Sequence, residues 1–180
     1  GVSYRTDVLD EATRKSNLSA AINRGNHALA RQYPEQIRKL MAKDACHGFI
    51  LPLTVEGLQH LQGAEVAPLG VAKQFSINEI GQQVPKFRAT HDQSFSPQSG
   101  FSVNDRLDRT SLLDCNYGFT LHRLIHAVIV LRQRHPSAPI LISKVDLDSA
   151  YRRLHCSPDL ASQSGFLFDS LAGVYLRLSF

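Results

Sequence analysis

The stretch Ile140-Leu141-Ile142-Ser143-Lys144-Val145, held between Pro139 and Asp146-Leu147-Asp148-Ser149, constrains this chain more than any other. An apolar run of that length bounded by proline reads as a buried strand, and the Asp-x-Asp-Ser step reads as its turn into a short helix. A carboxylate at such a junction is partly desolvated and needs a cation. Arg152 and Arg153 follow closely, so the same few residues bring acid and base together. The local pattern also fits an ordinary strand followed by an Asp or Ser helix cap and an exposed arginine pair. The rest of the chain has to choose between these readings.

Upstream, helical signals run over about residues 18–31, and a second helix opens at Pro34. In that helix Ile37, Leu40 and Met41 recur at helical spacing while Arg38, Lys39 and Lys43 face away, and Gly48 ends it. Residues 49–53 read as a short strand and 54–61 as a capped helical turn or two. Two strands, roughly 66–77 and 84–95, form a hairpin in which Gly81 supplies the turn. Residues 94–110 are rich in Ser, Pro, Gly and Asp and read as a loop. A helix over 117–133 places Leu121, Leu124, Ile125, Val128 and Leu131 on one apolar stripe, and Pro136 stops it. Short strands over 165–168 and 174–180, separated by a turn at 169–173, complete the pattern. The fold class is therefore α+β, with helices packed on a mainly antiparallel sheet.

With 180 residues, 43% of them hydrophobic, the chain is long enough for one core. A net charge of +4 suits a polyanionic partner without requiring one. Cys46, Cys115 and Cys156 are odd in number and widely spaced, which argues against a disulfide framework and for a reducing compartment. No apolar run is long enough to cross a bilayer and no signal-peptide pattern opens the chain, so a soluble protein of the cytoplasm or nucleus is expected. The first residue is Gly1 and the last residues read as an uncapped strand, which suggests a piece of a longer polypeptide.

A second segment, Lys86-Phe87-Arg88-Ala89-Thr90-His91-Asp92-Gln93-Ser94-Phe95, precedes Ser102-Val103-Asn104-Asp105. Together with Asp146-Leu147-Asp148-Ser149-Ala150-Tyr151-Arg152-Arg153, these residues resemble the reverse transcriptases of eukaryotic retroelements. The family's fingers strand carries a Lys-aromatic-Arg group with an Asp four residues after the Arg. A Ser-Val-Asn-like element follows, and then a palm strand with the first metal-binding Asp and an Ala-Tyr or Ala-Phe pair. The correspondents are Lys86, Arg88, Asp92, Asn104, Asp146, Ala150 and Tyr151. The resemblance covers about residues 44–180. It implies an N-terminal helical region over 1–43, a fingers-like region over 44–138 and the start of a palm over 139–180, an incomplete domain.

It further implies RNA-directed DNA polymerase chemistry, in which deoxynucleoside triphosphates are added to a primer on an RNA or DNA template. Two metal ions, magnesium or manganese, stabilise the attacking and leaving oxygens in such a transfer. Asp146 is the implied catalytic metal ligand, with the backbone carbonyl of Leu147 beside it. Asp148 does not match a ligand position and reads as a helix cap. Ser149 and Ala150 would lie near the triphosphate, and Tyr151 under the sugar would exclude a 2'-hydroxyl by shape. Lys86 and Arg88 alternate with Phe87, so both project to one side and can bracket phosphate charge, with Lys73 as a further candidate. Arg106, Arg109, Arg152 and Arg153 are candidates for contacts to the nucleic-acid backbone. The other partners implied are the rest of a parent polyprotein; no membrane is among them.

His122 and His126 stand one helical turn apart but lack the Glu of a zinc peptidase. His91, Asp92 and Ser94 are triad residue types, yet neighbours on a strand point to opposite faces. The family's second palm motif, with its paired aspartates, does not occur before Phe180, so these residues alone are expected to be inactive. The reading from a different class is a degenerate or repurposed retroelement fragment that binds nucleic acid, or serves as an interaction surface, without chemistry.

Overall fold

A computed structural model describes residues 9–96, 102–106, 108, 110, 118–143 and 150–177. The chain is α+β, with small antiparallel sheets and several helices. Helix α1 (Glu11–Arg24) starts earlier than the apolar pattern suggests because the Asp10 carboxylate caps it, accepting from the Thr13 amide at 2.8 Å. It stops at Gly25, whose φ of +68° is open to glycine. The helix expected over 18–31 is thus two helices, α1 and α2 (Ala28–Gln32). Asn26 fixes the break: its amide donates to the Leu167 carbonyl at 2.7 Å and its oxygen accepts from the Leu69 amide at 2.9 Å.

Helix α3 (Pro34–Cys46) and strand β1 (Ile50–Leu53) follow the sequence pattern closely. So does α4 (Val55–His60), where the Thr54 hydroxyl accepts from the Gly57 amide at 3.0 Å. Strands β2 (Leu69–Ile77) and β3 (Gln83–His91) form the expected antiparallel hairpin, with Gly81 at φ +77° in its turn. Helix α5 (Thr120–Arg134) is present, but its stripe is not buried: Leu121, Leu124, Ile125 and Leu131 are exposed. Spacing fixes the face of a helix, whereas burial needs a partner surface.

The strand expected at the start of the 140–145 run is absent from its described part. Ile140 to Ser143 lie in no strand, and Leu141 and Ile142 are exposed. Apolar composition favours a strand only where a neighbouring strand pairs with it, and none does so here among the described residues. A short 3-10 turn over Ala150–Arg153 leads to α6 (Pro158–Ser162), which the sequence reading missed although Ser157 caps it. Strands β4 (Gly165–Phe168) and β5 (Leu171–Tyr175) are joined by Asp169 and Ser170, both at positive φ. Two such residues make the tight turn matching strand twist, so β5 begins at Leu171 rather than at 174.

The larger sheet runs β1-β5-β4, all antiparallel. Its core gathers Ile37 and Met41 from α3, Leu69 and Val71 from β2, and Phe166 and Tyr175. Phe166 is fully buried, 4.7 Å from the Tyr175 ring centroid, and burying a side chain of this size contributes about 2 kcal/mol. Gly173 makes room for it, since a Cβ there would stand 2.6 Å from the Phe166 ring. A second cluster joins Leu18, Leu58, Ala64, Ala172 and Val174. Val66 bridges Gly165 in parallel and so fastens the entry of the hairpin to β4.

Candidate nucleic-acid interface

The hairpin register decides which cations share a face. Lys86 pairs with Gln74 and Arg88 with Ala72, while Phe87 pairs with Lys73. Directly paired residues lie on the same side of a sheet, so Lys86 and Arg88 stand together and Lys73 stands on the opposite face. Lys86 and Arg88 are exposed, and Phe87 turns inward against Tyr33 with ring centroids 5.1 Å apart. The alternation expected of Lys86, Phe87 and Arg88 is therefore present. Lys73 does not assist them: its ammonium lies 6.0 Å from the Tyr33 ring and 5.8 Å from the Phe75 ring.

Beyond β3, the polar residues of the motif lock the chain. Asp92 Oδ2 lies 2.9 Å from His27 Nε2, at the start of α2, and Asp92 Oδ1 accepts from the Ser94 amide at 3.2 Å. The Asn104 side chain donates to the Ser94 hydroxyl at 2.7 Å, and its amide donates to the Gln93 carbonyl at 3.1 Å. Two motif elements ten residues apart thus meet, and both position the loop. His91 turns the other way, against Phe166 and Tyr175. Its Nε2 lies 3.2 Å from the Gly165 carbonyl and its Nδ1 3.4 Å from the Gln93 amide. Burial lowers its pKa to about 4, and Arg152 adds to that effect.

Arg106 is not a surface cation. It is 4% exposed and ion-paired with Glu65, whose side chain is also largely buried, so it cannot reach a nucleic-acid backbone. Sequence gives no warning of this, because Glu65 is supplied from the far side of the hairpin. Arg109, Asp146, Leu147, Asp148 and Ser149 lie outside the described residues. Ala150 and Tyr151 open the 3-10 turn that Arg152 and Arg153 complete.

Arg152 and Arg153 do come together with further cations. A cleft of ≈ 600 Å³ is lined by Leu40, Lys43, Asp44, His47, Phe49, Arg152, Arg153 and Arg177. Among the described lining residues, four permanent positive charges face a single carboxylate. Arg152 Nη2 lies 2.7 Å from Asp44 Oδ2, and its guanidinium carbon sits 4.9 Å from the Tyr175 ring centroid. Burial pushes the Asp44 carboxyl up, against the lowering pull of Arg152. Arg152 Nη1 is buried without a hydrogen-bond partner among the described residues. Exposed His47 stacks on Phe49, with centroids 5.4 Å apart and planes 24° from parallel. Lys43, His47, Phe49 and Arg177 were not among the site residues proposed from the sequence. The spacing of Lys43, in the last turn of α3, and His47, which caps it, was the available signal, but it has no meaning until the chain returns beside it.

Among the described residues no group of three or more His, Cys, Asp or Glu side chains is placed to hold a metal ion. Among them too, no helix is long and apolar enough to cross a membrane. In comparisons with protein families, curated proteins and solved structures, nothing matches this chain.

Proposed function

We propose that this chain is the fingers and the opening of the palm of a retroelement reverse transcriptase, with its part in templated addition of deoxynucleotides to a primer. The observation that carries the reading is the register of β3. It sets Lys86 and Arg88 side by side on an exposed face, where a lysine and a bidentate arginine can bracket a triphosphate. The anchoring of Asp92 to His27 and of Asn104 to Ser94 supports it, since the motif's polar residues then hold the loop behind that face. Asp146 and the Leu147 carbonyl would hold magnesium or manganese, which supplies charge neutralisation on the transferred phosphoryl group. Ser149, Ala150 and Tyr151 would receive the nucleotide.

The test is primer extension on an RNA template by the polypeptide that carries this segment in its reading frame. Asp146→Asn is expected to abolish incorporation, and Arg88→Ala to raise the KM for nucleotide. Unchanged incorporation by Asp146→Asn would remove Asp146 from the reaction and the polymerase reading with it. A second reading, nucleic-acid binding without chemistry, is favoured by one observation: the cationic cleft around Arg152, Arg153 and Arg177 is lined by neither Lys86 nor Arg88.

A further inference from the structure

We infer that the cleft between the end of α3 and the 3-10 turn takes an unpaired nucleic-acid strand, with phosphates on Lys43, Arg153 and Arg177 and a base on His47. This deepens the nucleic-acid reading above by adding a second contact surface and naming the form of the strand. Two features of the cleft converge on it. Its charge is lopsided: among the described lining residues the one carboxylate, Asp44, is held by Arg152 at 2.7 Å, and Lys43, Arg153 and Arg177 meet no other acid among them. Its surface includes an aromatic pair, His47 exposed and backed by Phe49.

The combination separates an unpaired strand from other anions. A duplex hides the faces of its bases, so an aromatic platform inside a concave cleft gains nothing from one. A strand with splayed bases offers both a ring to stack and regularly spaced phosphates, the pairing that single-strand binders use. An acidic peptide would engage the cations and leave the imidazole idle. Arg152 is the positioning residue, since its pairing with Asp44 and its place over Tyr175 fix the turn that carries Arg153.

The experiment is fluorescence anisotropy of a labelled unpaired octanucleotide with the 180-residue chain across a salt series. Arg153→Glu with Arg177→Glu is expected to weaken binding at least about tenfold and to flatten the dependence of log K on log salt by about 1.4, two phosphate contacts at ~0.7 each. Arg153→Lys with Arg177→Lys should restore most of the affinity, which separates loss of charge from loss of fold. His47→Ala should weaken binding about fivefold with the salt slope unchanged, as expected for a lost stack. Wild-type affinity in the glutamate variant overturns the inference, as does tighter binding of the same sequence as duplex. Competition by a single nucleotide as strong as by the octanucleotide overturns the strand assignment. Loss on Lys86→Glu with Arg88→Glu, and none on the Arg153 and Arg177 changes, overturns this inference and leaves the polymerase reading standing.

Discussion

Protonation of His91 should destabilise this protein's core from within, and the structure gives the size of the effect. The imidazole is neutral in the fold because both nitrogens are already committed in opposite senses. Nε2–H donates to the Gly165 carbonyl at 3.2 Å, and Nδ1 accepts from the Gln93 amide at 3.4 Å. A second proton on Nδ1 would face the Gln93 donor, inside packing formed by Phe166 and Tyr175. The charged groups that act on the ring oppose one another: Asp92 favours the cation and Arg152 disfavours it, with burial the largest influence. The pKa therefore falls from 6.5 to about 4 in the folded state.

Because the unfolded chain binds the proton more tightly, stability is whole above the unfolded pKa and is lost as pH falls toward the folded one. A shift of this size makes the loss about 2 kcal/mol between about pH 7 and about pH 5. With a urea dependence of about 2 kcal/mol per molar, the unfolding midpoint should drop by about 1 M. Urea titrations of the wild type and His91→Phe at both pH values provide the assay. The variant keeps an aromatic ring and leaves the Gly165 carbonyl its bond from the Ala67 amide at 2.9 Å, so it should lose most of this pH dependence. Equal midpoint shifts in the two proteins would refute the account, since the acid sensitivity would then belong to other groups.

Glu65→Gln removes the one acid paired with Arg106 among the described residues, and a buried guanidinium left without it should cost about 3 kcal/mol, read as a lower melting temperature by circular dichroism. Gly165→Ala would drive a Cβ into the Glu65 carbonyl, a backbone atom that cannot move without breaking the bridge to Val66, so loss of the folded baseline is expected. Ser164→Ala strips the Tyr175 amide of the buried hydroxyl that accepts from it at 2.9 Å, and should cost about 1 to 3 kcal/mol in denaturant melts.

Elements set by near neighbours were legible in the residues alone. Pro34 opens α3, Thr54 caps α4, Gly81 turns the hairpin, and strand alternation separates Lys86 and Arg88 from Phe87. Each depends on contacts within a few positions, so the sequence carries the cause and the effect together. The misses have the opposite origin. The break at Asn26 is fixed by Leu69 and Leu167, and the apolar runs of α5 and 140–143 have a pattern but no described surface to cover them.

By itself, then, the chain determined its local conformations, its α+β character and the pair of cations that share one face of β3. Tertiary structure decided the fate of the remaining charges. Arg106 became a buried partner of Glu65, 41 positions away, and Arg152 was joined to Asp44 across 108 positions. Lys73 was sent to the far side of the sheet by its register with Phe87. The cleft exists only because the 3-10 turn and Arg177 return beside α3. A local pattern says which way a side chain points, but burial and charge pairing are set by what the folded chain places opposite it.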